Sequence, residues 1–414
     1  MRVLFVHQNF PGQFLHLVRH LVADPAHDVL FVTEANANFI AGVRKVIYRG
    51  PPAVGGAVAA DLPSAMTRAA AVAGAAGQLQ SLGYRPDIVV GHHGWGELLN
   101  IGDVWPDVPV LGYFEFFYRT EGLDVGFDPE FPLPPSALGA VRAKNAVNLL
   151  ALTNPGMGQT PTRFQQETYP GWAQERIAVV AEGVDLAICR PDPTARRRAF
   201  ALGGFRVELG DELLTYVARD LEPYRGFHVL MRALPRLLRE RPRLKVVIVG
   251  GDGVSYGAAL QGMSWRSFML AEIGGLDPAR VLFAGKVDYS VFIALLLRSD
   301  AHVYLTYPFV ASWSLREAMA SGCAIVGSDT APVREFIEDG VSGLLTPCLD
   351  PARLAERVLE LLEDRGLAAA LRAGARRFAE AHLRLDETLQ RQLALIARVA
   401  EGDVREPPRR GSNG

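Results

Sequence analysis

Cysteine is scarce in this chain of 414 residues. Cys189, Cys323 and Cys348 lie far apart and none forms a Cys-x-x-Cys pair. That excludes a disulfide scaffold or a zinc module and fits a reducing compartment. Long apolar runs are missing as well. None approaches the roughly 20 residues needed to span a bilayer. The run Val3-Leu4-Phe5-Val6 is too short for the apolar region of a secretory leader. Neither sign of charge dominates: 43 Lys and Arg stand against 45 Asp and Glu, a net charge of -2. No global field therefore favours nucleic acid or an anionic membrane as the main partner. These absences predict a cytoplasmic protein that does not bind nucleic acid, with peripheral contact at the inner membrane face left open.

What is present is the composition of an ordinary globular chain, 49% hydrophobic and 21% charged. Its length favours two or three domains. Short apolar runs bounded by Gly, Pro and Asp alternate with longer amphipathic stretches. Strands are expected at 3–7, 29–33, 87–90, 108–114 and 177–180, with a helix over 12–22. The segment 114–135 is rich in aromatics, acids and prolines and reads as a long loop able to wall a site. Arg190-Pro191-Asp192-Pro193 then stops regular structure. Alternation restarts with strands at 213–218, 245–249, 281–284, 300–305 and 324–327 and a helix at 227–240. Such alternation means βαβ units and parallel sheets. The expected fold is α/β: two Rossmann-like doubly wound domains, 1–185 and 186–375, facing across a cleft. A long helical stretch over 367–400 ends the fold, its part from 376 to 400 crossing back, and a disordered tail occupies 401–414.

In doubly wound sheets ligands bind beyond the carboxyl ends of the strands. The residues that follow each strand are therefore the candidates. The richest stretch runs from Tyr304 to Leu345. There a strand end leads through Pro308–Ser312 to a helix that begins near Trp313-Ser314 and carries Glu317-Ala318-Met319-Ala320 up to Gly322. The helix N-terminus is a ready anion site, because its unpaired N–H groups and dipole favour a phosphate. Glu317, one turn in, suits a sugar diol. Gly250-Gly251-Asp252-Gly253 is not G-x-G-x-x-G, since Tyr256 stands three residues after Gly253, and it reads as a tight turn.

This pattern resembles the retaining glycosyltransferases of family 4, which have the GT-B fold. V-A-R-D-L-E-P-Y-R-G-F-H-V-L (217–230), K-V-V-I-V-G-G-D-G (245–253), V-L-F-A-G-K-V (281–287) and E-A-M-A-S-G (317–322) carry the resemblance. It implies a hexose moved from a nucleotide sugar to an acceptor hydroxyl, with no metal and no cofactor. It implies Arg219 and Arg225 as the cations that hold the diphosphate and Glu317 as the ribose ligand, together the catalytic set. Gly12, Gly250, Lys286, Phe309, Ser312, Trp313, Ser314 and Leu315 are then expected on the donor side. The charge that builds on a departing diphosphate is what two guanidiniums and a helix N-terminus stabilise.

Gln13, His92, His93 and Glu115 follow first-half strands and are expected on the acceptor side, for an acceptor of unknown class: saccharide, lipid-linked sugar, small molecule or protein. Four features depart from the family. Asn9-Phe10-Pro11-Gly12 replaces its usual glycine pair, Glu115 stands where a His is usual, Phe309 replaces the first Glu of its Glu-x7-Glu motif, and Ala331-Pro332 replaces its later Gly-Gly pair before Glu335. An apolar Phe309 facing the donor predicts a preference for a sugar with fewer hydroxyls. A nucleotide-sugar epimerase or hydrolase, or a catalytically silent nucleotide-sugar binding protein, are the alternative readings.

Overall fold

The computed structural model describes residues 1–51, 62–154 and 156–403. The first domain is a seven-stranded sheet built from β1 (Arg2–Val6), β2 (Asp28–Thr33), β3 (Arg44–Ile47), β4 (Ile88–His92), β5 (Val110–Tyr113), β6 (Gly156–Thr160) and β7 (Ile177–Val179). All its pairings are parallel and the order is β3-β2-β1-β4-β5-β6-β7. A small antiparallel hairpin, β8 (Phe200–Leu202) and β9 (Phe205–Val207), opens the second domain. Its six-stranded parallel sheet comprises β10 (Glu212–Asp220), β11 (Leu244–Gly251), β12 (Val281–Gly285), β13 (Ala301–Tyr304), β14 (Ile325–Ser328) and β15 (Leu344–Thr346), in the order β12-β11-β10-β13-β14-β15.

The cause is visible strand by strand. Val3, Leu4, Phe5 and Val6 are all fully buried, so β1 needs a continuous apolar run and helices on both of its faces. The helix Phe227–Glu240 turns Phe227, Leu230, Met231, Leu234 and Leu237 inward, the spacing of a helix lying on a sheet. In each sheet the order reverses beside the first strand of its domain, between β1 and β4 and between β10 and β13. Those two switch points place the crevice.

The long 367–400 stretch is two helices, Arg365–His382 and Leu385–Ala400. Ala375, Ala379 and Leu383 remain in a second-domain core. Leu389, Leu395, Ile396 and Val399 pack with Val3, Phe5, Ile88 and Leu111 of the first sheet. The crossing therefore begins at Leu385 rather than at 376, because the residues before it are still anchored in the second domain. Of the tail expected to be disordered, Glu401–Asp403 extends the helix end through Glu401 N–H on Ala397 O, and 404–414 lies outside the described residues. The two crossovers run side by side. Val184 donates to Leu383 O at 2.7 Å, and Leu385 donates to Val184 O at 3.2 Å.

The loop after β5 carries no regular element until the turn Pro135–Ala137. It leaves its own domain and docks on the other. Asp128 accepts from the Tyr307 hydroxyl and meets His228 Nε2 at 3.1 Å. Asp124 accepts from Tyr224 Oη at 3.0 Å. Glu130 takes both ends of the Arg232 guanidinium at 2.6 Å. Phe131 stands edge-on to Trp265 and to His228. Rather than only walling a site, this segment is a strap that ties the domains together.

Gly183 marks how tightly the crossovers fit. A Cβ there would lie 2.6 Å from Leu385 Cα, and backbone on both sides leaves little room to give. Gly183→Ala is expected to cost about 1–3 kcal/mol by overpacking. Thermal unfolding checks this; an unchanged Tm would refute the tight seam.

Candidate active site

Loops from the carboxyl ends of both sheets meet at the crevice. From the first domain come residues 7–13 after β1, 92–96 after β4 and Glu115 after β5. From the second come Arg219 at the end of β10, Arg225 in the turn Pro223–Arg225, and the loop after β13 that leads into the helix Trp313–Ala320.

Glu115 and His92 form the centre on the first-domain side. Their closest atoms, Oε2 and Nε2, are 3.6 Å apart. Nδ1 of His92 accepts the Gly94 N–H at 2.9 Å, so in the neutral ring the proton sits on Nε2 and points toward Glu115. Burial pushes the Glu115 carboxyl up. The contact with His92 and the charges of Arg225 and Arg219 outweigh it and hold that carboxyl below the usual range. Glu115 thus feels both second-domain arginines across the crevice.

His7 lies behind this pair, with its ring 5.3 Å from that of His92. Its Nδ1 accepts from Asn9 N–H at 2.8 Å and its side chain bonds Gln13. Gly12, at φ 55°, leaves room for that ring: a Cβ would stand 3.1 Å from it. Gly12 and Gln13 therefore shape the loop through His7. His93 points the other way. It is buried against Phe114, borders a small cavity with Asn154, Met157 and Arg176, and leaves Nδ1 without a partner. The expected acceptor-side role fails for His93, because consecutive residues at a strand end face opposite sides of the sheet.

The two arginines are held differently. Arg225 is buried, donating to Thr306 Oγ1 at 2.9 Å and Val310 O at 2.8 Å, with its guanidinium 4.7 Å from the Tyr256 ring centre. Arg219 is exposed and has no hydrogen-bond or ion-pair partner among the described residues. One cation is preorganised and the other is free to close on a ligand. Lys286 is largely exposed, 3.8 Å from Asp220. Gly250 packs closely: a Cβ there would meet Leu221 Cδ2 at 2.7 Å and Ala218 O at 3.1 Å.

The helix Trp313–Ala320 opens on Ser312, whose N–H is already taken by the Tyr304 hydroxyl at 2.7 Å and whose Oγ pairs with Ser314 Oγ at 2.6 Å. Leu315 N–H turns back to Ser312 O, and the Leu315 side chain is core. That leaves the N–H groups of Trp313 and Ser314 unpaired among the described residues, the expected condition of a first helical turn. The Trp313 indole is occupied elsewhere. It donates to Glu182 Oε2 at 2.8 Å, and Glu182 also holds Arg316 at 3.1 Å and the Tyr113 hydroxyl at 3.0 Å. Glu317 accepts from Tyr289 Oη at 2.9 Å, and burial pushes its carboxyl up.

Phe309 is not a bare wall. It is buried, with its ring centre 4.7 Å from Phe116 of the first domain, 5.0 Å from Tyr256 and 5.9 Å from Tyr224. An apolar side chain at this loop finds its area in the interdomain seam, which overturns the expectation that Phe309 selects the sugar directly.

Sequence reasoning missed Tyr289, Tyr256, Glu182 and the strap carboxylates. It also missed Glu222, whose buried carboxylate accepts the N–H groups of Ser255, Tyr256 and Gly257 and so orders the loop after β11. Tyr289 alone had a legible signal, as the first residue of the helix that follows β12 and Lys286. Among the described residues Asp128, Glu130 and His228 bring possible metal ligands within 4.8 Å of one another. Their oxygens are engaged by Tyr307, His228 and Arg232.

Comparison with known proteins places this geometry. A family model described as the glycosyl transferase family 4 group matches residues 25–189, and one described as glycosyl transferases group 1 matches 205–378. The D-inositol 3-phosphate glycosyltransferase of Frankia alni is 32% identical over 205 residues, 49% of this chain and 48% of that protein. The phosphatidyl-myo-inositol mannosyltransferase of Mycolicibacterium smegmatis is 30% identical over 212 residues, 50% of this chain and 47% of that protein. The chain spans about half the length of the curated relatives it matches. Among solved structures, Anabaena HepE in complex with UDP-glucose superposes with a TM-score of 0.69 at 17% identity, covering 96% of this chain and 99% of that one. The sucrose-phosphate synthase of Thermosynechococcus elongatus does so at 0.71 and 16%, covering 96% and 98%.

The buried histidines predict a pH dependence. Burial, aided by the charge of His92, lowers His7 and His93 to about 3, and burial alone lowers His302 to about 4. The unfolded chain takes up these protons near pH 6.5, while the folded one cannot until far lower. Stability is therefore expected to fall as pH drops from about 6.5 toward 4, by up to about 1.4 kcal/mol per pH unit for each ring. Urea midpoints at pH 7.5 and pH 5 read this, and equal midpoints would exclude burial in the neutral form.

Proposed function

The chain belongs to the family 4 group of glycosyl transferases, with the GT-B fold, and on that premise we propose that it transfers a hexose from a nucleoside diphosphate sugar to an acceptor hydroxyl, with retention at the anomeric carbon. One observation carries the reading: Glu115 and His92 of the first domain and Arg219 and Arg225 of the second meet electrostatically across the crevice. The arginines and the free N–H groups of Trp313 and Ser314 supply the positive charge that a departing diphosphate needs, so neither a metal nor a cofactor is invoked. Glu317, oriented by Tyr289, accepts from the ribose diol. The exposed Lys286 stands at the rim of the same crevice.

The first domain takes the acceptor. Glu115, ionised in the free protein, aligns its hydroxyl with His92 alongside. A bound diphosphate neutralises Arg219 and Arg225, which removes part of what holds Glu115 low, beside the larger contact with His92, and raises its proton affinity. Donor binding thus makes Glu115 a better proton acceptor at the moment it is needed. The names of the relatives make a polyol phosphate the first acceptor to test. The three free, buried cysteines support a reducing, cytoplasmic setting, and no helix among the described residues is long and apolar enough to cross a membrane.

The test is donor turnover with and without acceptor, using a panel of nucleotide hexoses and inositol phosphates. Consumption that needs the acceptor is the expected result; consumption without one would point to an epimerase or hydrolase. Arg219→Ala is expected to lower kcat by about a hundredfold or more, by analogy with loss of one donor to a developing oxyanion. Normal turnover in that variant would remove Arg219 from the reaction.

Calorimetry with free nucleoside diphosphates addresses Glu317. A charged hydrogen bond is worth about 1.5–3 kcal/mol, so Glu317→Ala should weaken binding about tenfold or more, whereas Glu115→Gln should impair transfer without weakening this affinity, the lost carboxylate charge if anything favouring the diphosphate. The reverse pattern would exchange the roles of the two domains.

A further inference from the structure

The second domain has a cavity of about 230 Å³ at the amino ends of β10 and β13, the opposite end of that sheet from the crevice. Arg196, Arg197, Arg365 and Arg372 line it, together with Glu212 and Asp300. The two carboxylates answer this charge only in part: Asp300 favours the charged form of Arg372, but both carboxylates are engaged elsewhere. Glu212 is bound by the Arg241 guanidinium through two hydrogen bonds. Asp300 Oδ2 accepts Leu213 N–H at 2.9 Å and Arg298 Nη1 at 2.8 Å.

The four arginines are left over. Arg196, Arg197 and Arg365 have no hydrogen-bond or ion-pair partner among the described residues. Arg372 donates once, to Asp300 O, and its Nε is buried without a partner. Like charges facing one cavity repel, and an orphaned buried N–H is costly. The strain shows at Arg372: burial and the charge of Arg196 lower it to about 10.

An anion relieves that repulsion. Guanidinium forks match phosphate oxygens in pairs. At about 30 Å³ per water the cavity holds several waters' worth of ligand, room for more than one phosphate group or for a phosphate with a small carrier. We infer that this cavity is a binding site for a phosphate-bearing anion, separate from the crevice. Neither the family 4 reading nor the transfer reaction is needed for it.

The experiment is calorimetry with inorganic pyrophosphate on the full chain carrying Arg219→Ala, so that the free cation of the crevice cannot be the source. Binding is expected, and Arg196→Ala with Arg365→Ala in that background should weaken it by about tenfold or more. Both side chains reach solvent, so the fold should survive; Arg196→Lys with Arg365→Lys, which keeps the charge, should retain part of the affinity. A parallel arm measures sedimentation with phosphatidylcholine vesicles with and without phosphatidylglycerol. Arginine-dependent binding to pyrophosphate assigns a free anion, and arginine-dependent binding to the anionic vesicles alone assigns a lipid headgroup. Binding that ignores Arg196 and Arg365 in both arms, or no binding in either, overturns the inference.

Discussion

Asp128 carries a carboxylate out of the first domain and buries it in the second, where Tyr307 and His228 hold it. An ionised carboxyl buried without partners costs several kcal/mol. Both side-chain partners belong to the other domain, one after β13 and one in the first turn of the helix after β10, while Oδ1 accepts the Glu130 N–H of the strap itself at 2.9 Å. The charge is therefore fully satisfied only when the domains are docked. Its burial would push that carboxyl up, yet the bonds from His228 and Tyr307 hold it below the usual range. The docked arrangement accordingly keeps Asp128 charged despite its burial.

The rest of the seam follows from this docking. Phe309 and Phe116 close an apolar cluster beside the strap. Glu182 of the first domain gathers Trp313 and Arg316 from the second, and the paired crossovers at Val184 and Leu385 set the two sheets end to end. With the domains fixed this way the carboxyl ends face each other, and the crevice acquires its division of labour. The second domain brings free and anchored positive charge, while the first brings an imidazole and a carboxylate kept ionised by that charge. The side chains that make the seam rigid, Trp313 and Phe309, are neighbours of the backbone groups that face a ligand. Substrate binding and domain docking consequently share the loop between β13 and the following helix.

Much of the fold was legible because its signals are local. β1, β2, β10 and β11 are apolar runs bounded by breakers, and the helix Phe227–Glu240 shows its buried face in its own spacing. The strands that escaped notice lacked such signals. β6 reads Gly-Met-Gly-Gln-Thr and is a strand only because β5 and β7 flank it. β15 has three residues. The break at Leu383-Arg384 left no mark either, since the apolar periodicity continues on both sides while the surface it faces changes from one domain to the other.

By itself the sequence determined the two doubly wound halves, the crevice at their strand ends, and the placement there of Glu115 and His92, because a strand end in a parallel sheet dictates where the next residue lies; Arg219, Arg225 and Glu317 were legible through the family resemblance. Only the tertiary structure decided which of two adjacent histidines faces the crevice, that Phe309 fills a seam rather than a sugar site, and that Asp128 and Glu182 tie the domains together. Each of those outcomes depends on a partner distant along the chain, so no window of sequence contains the contact that settles it.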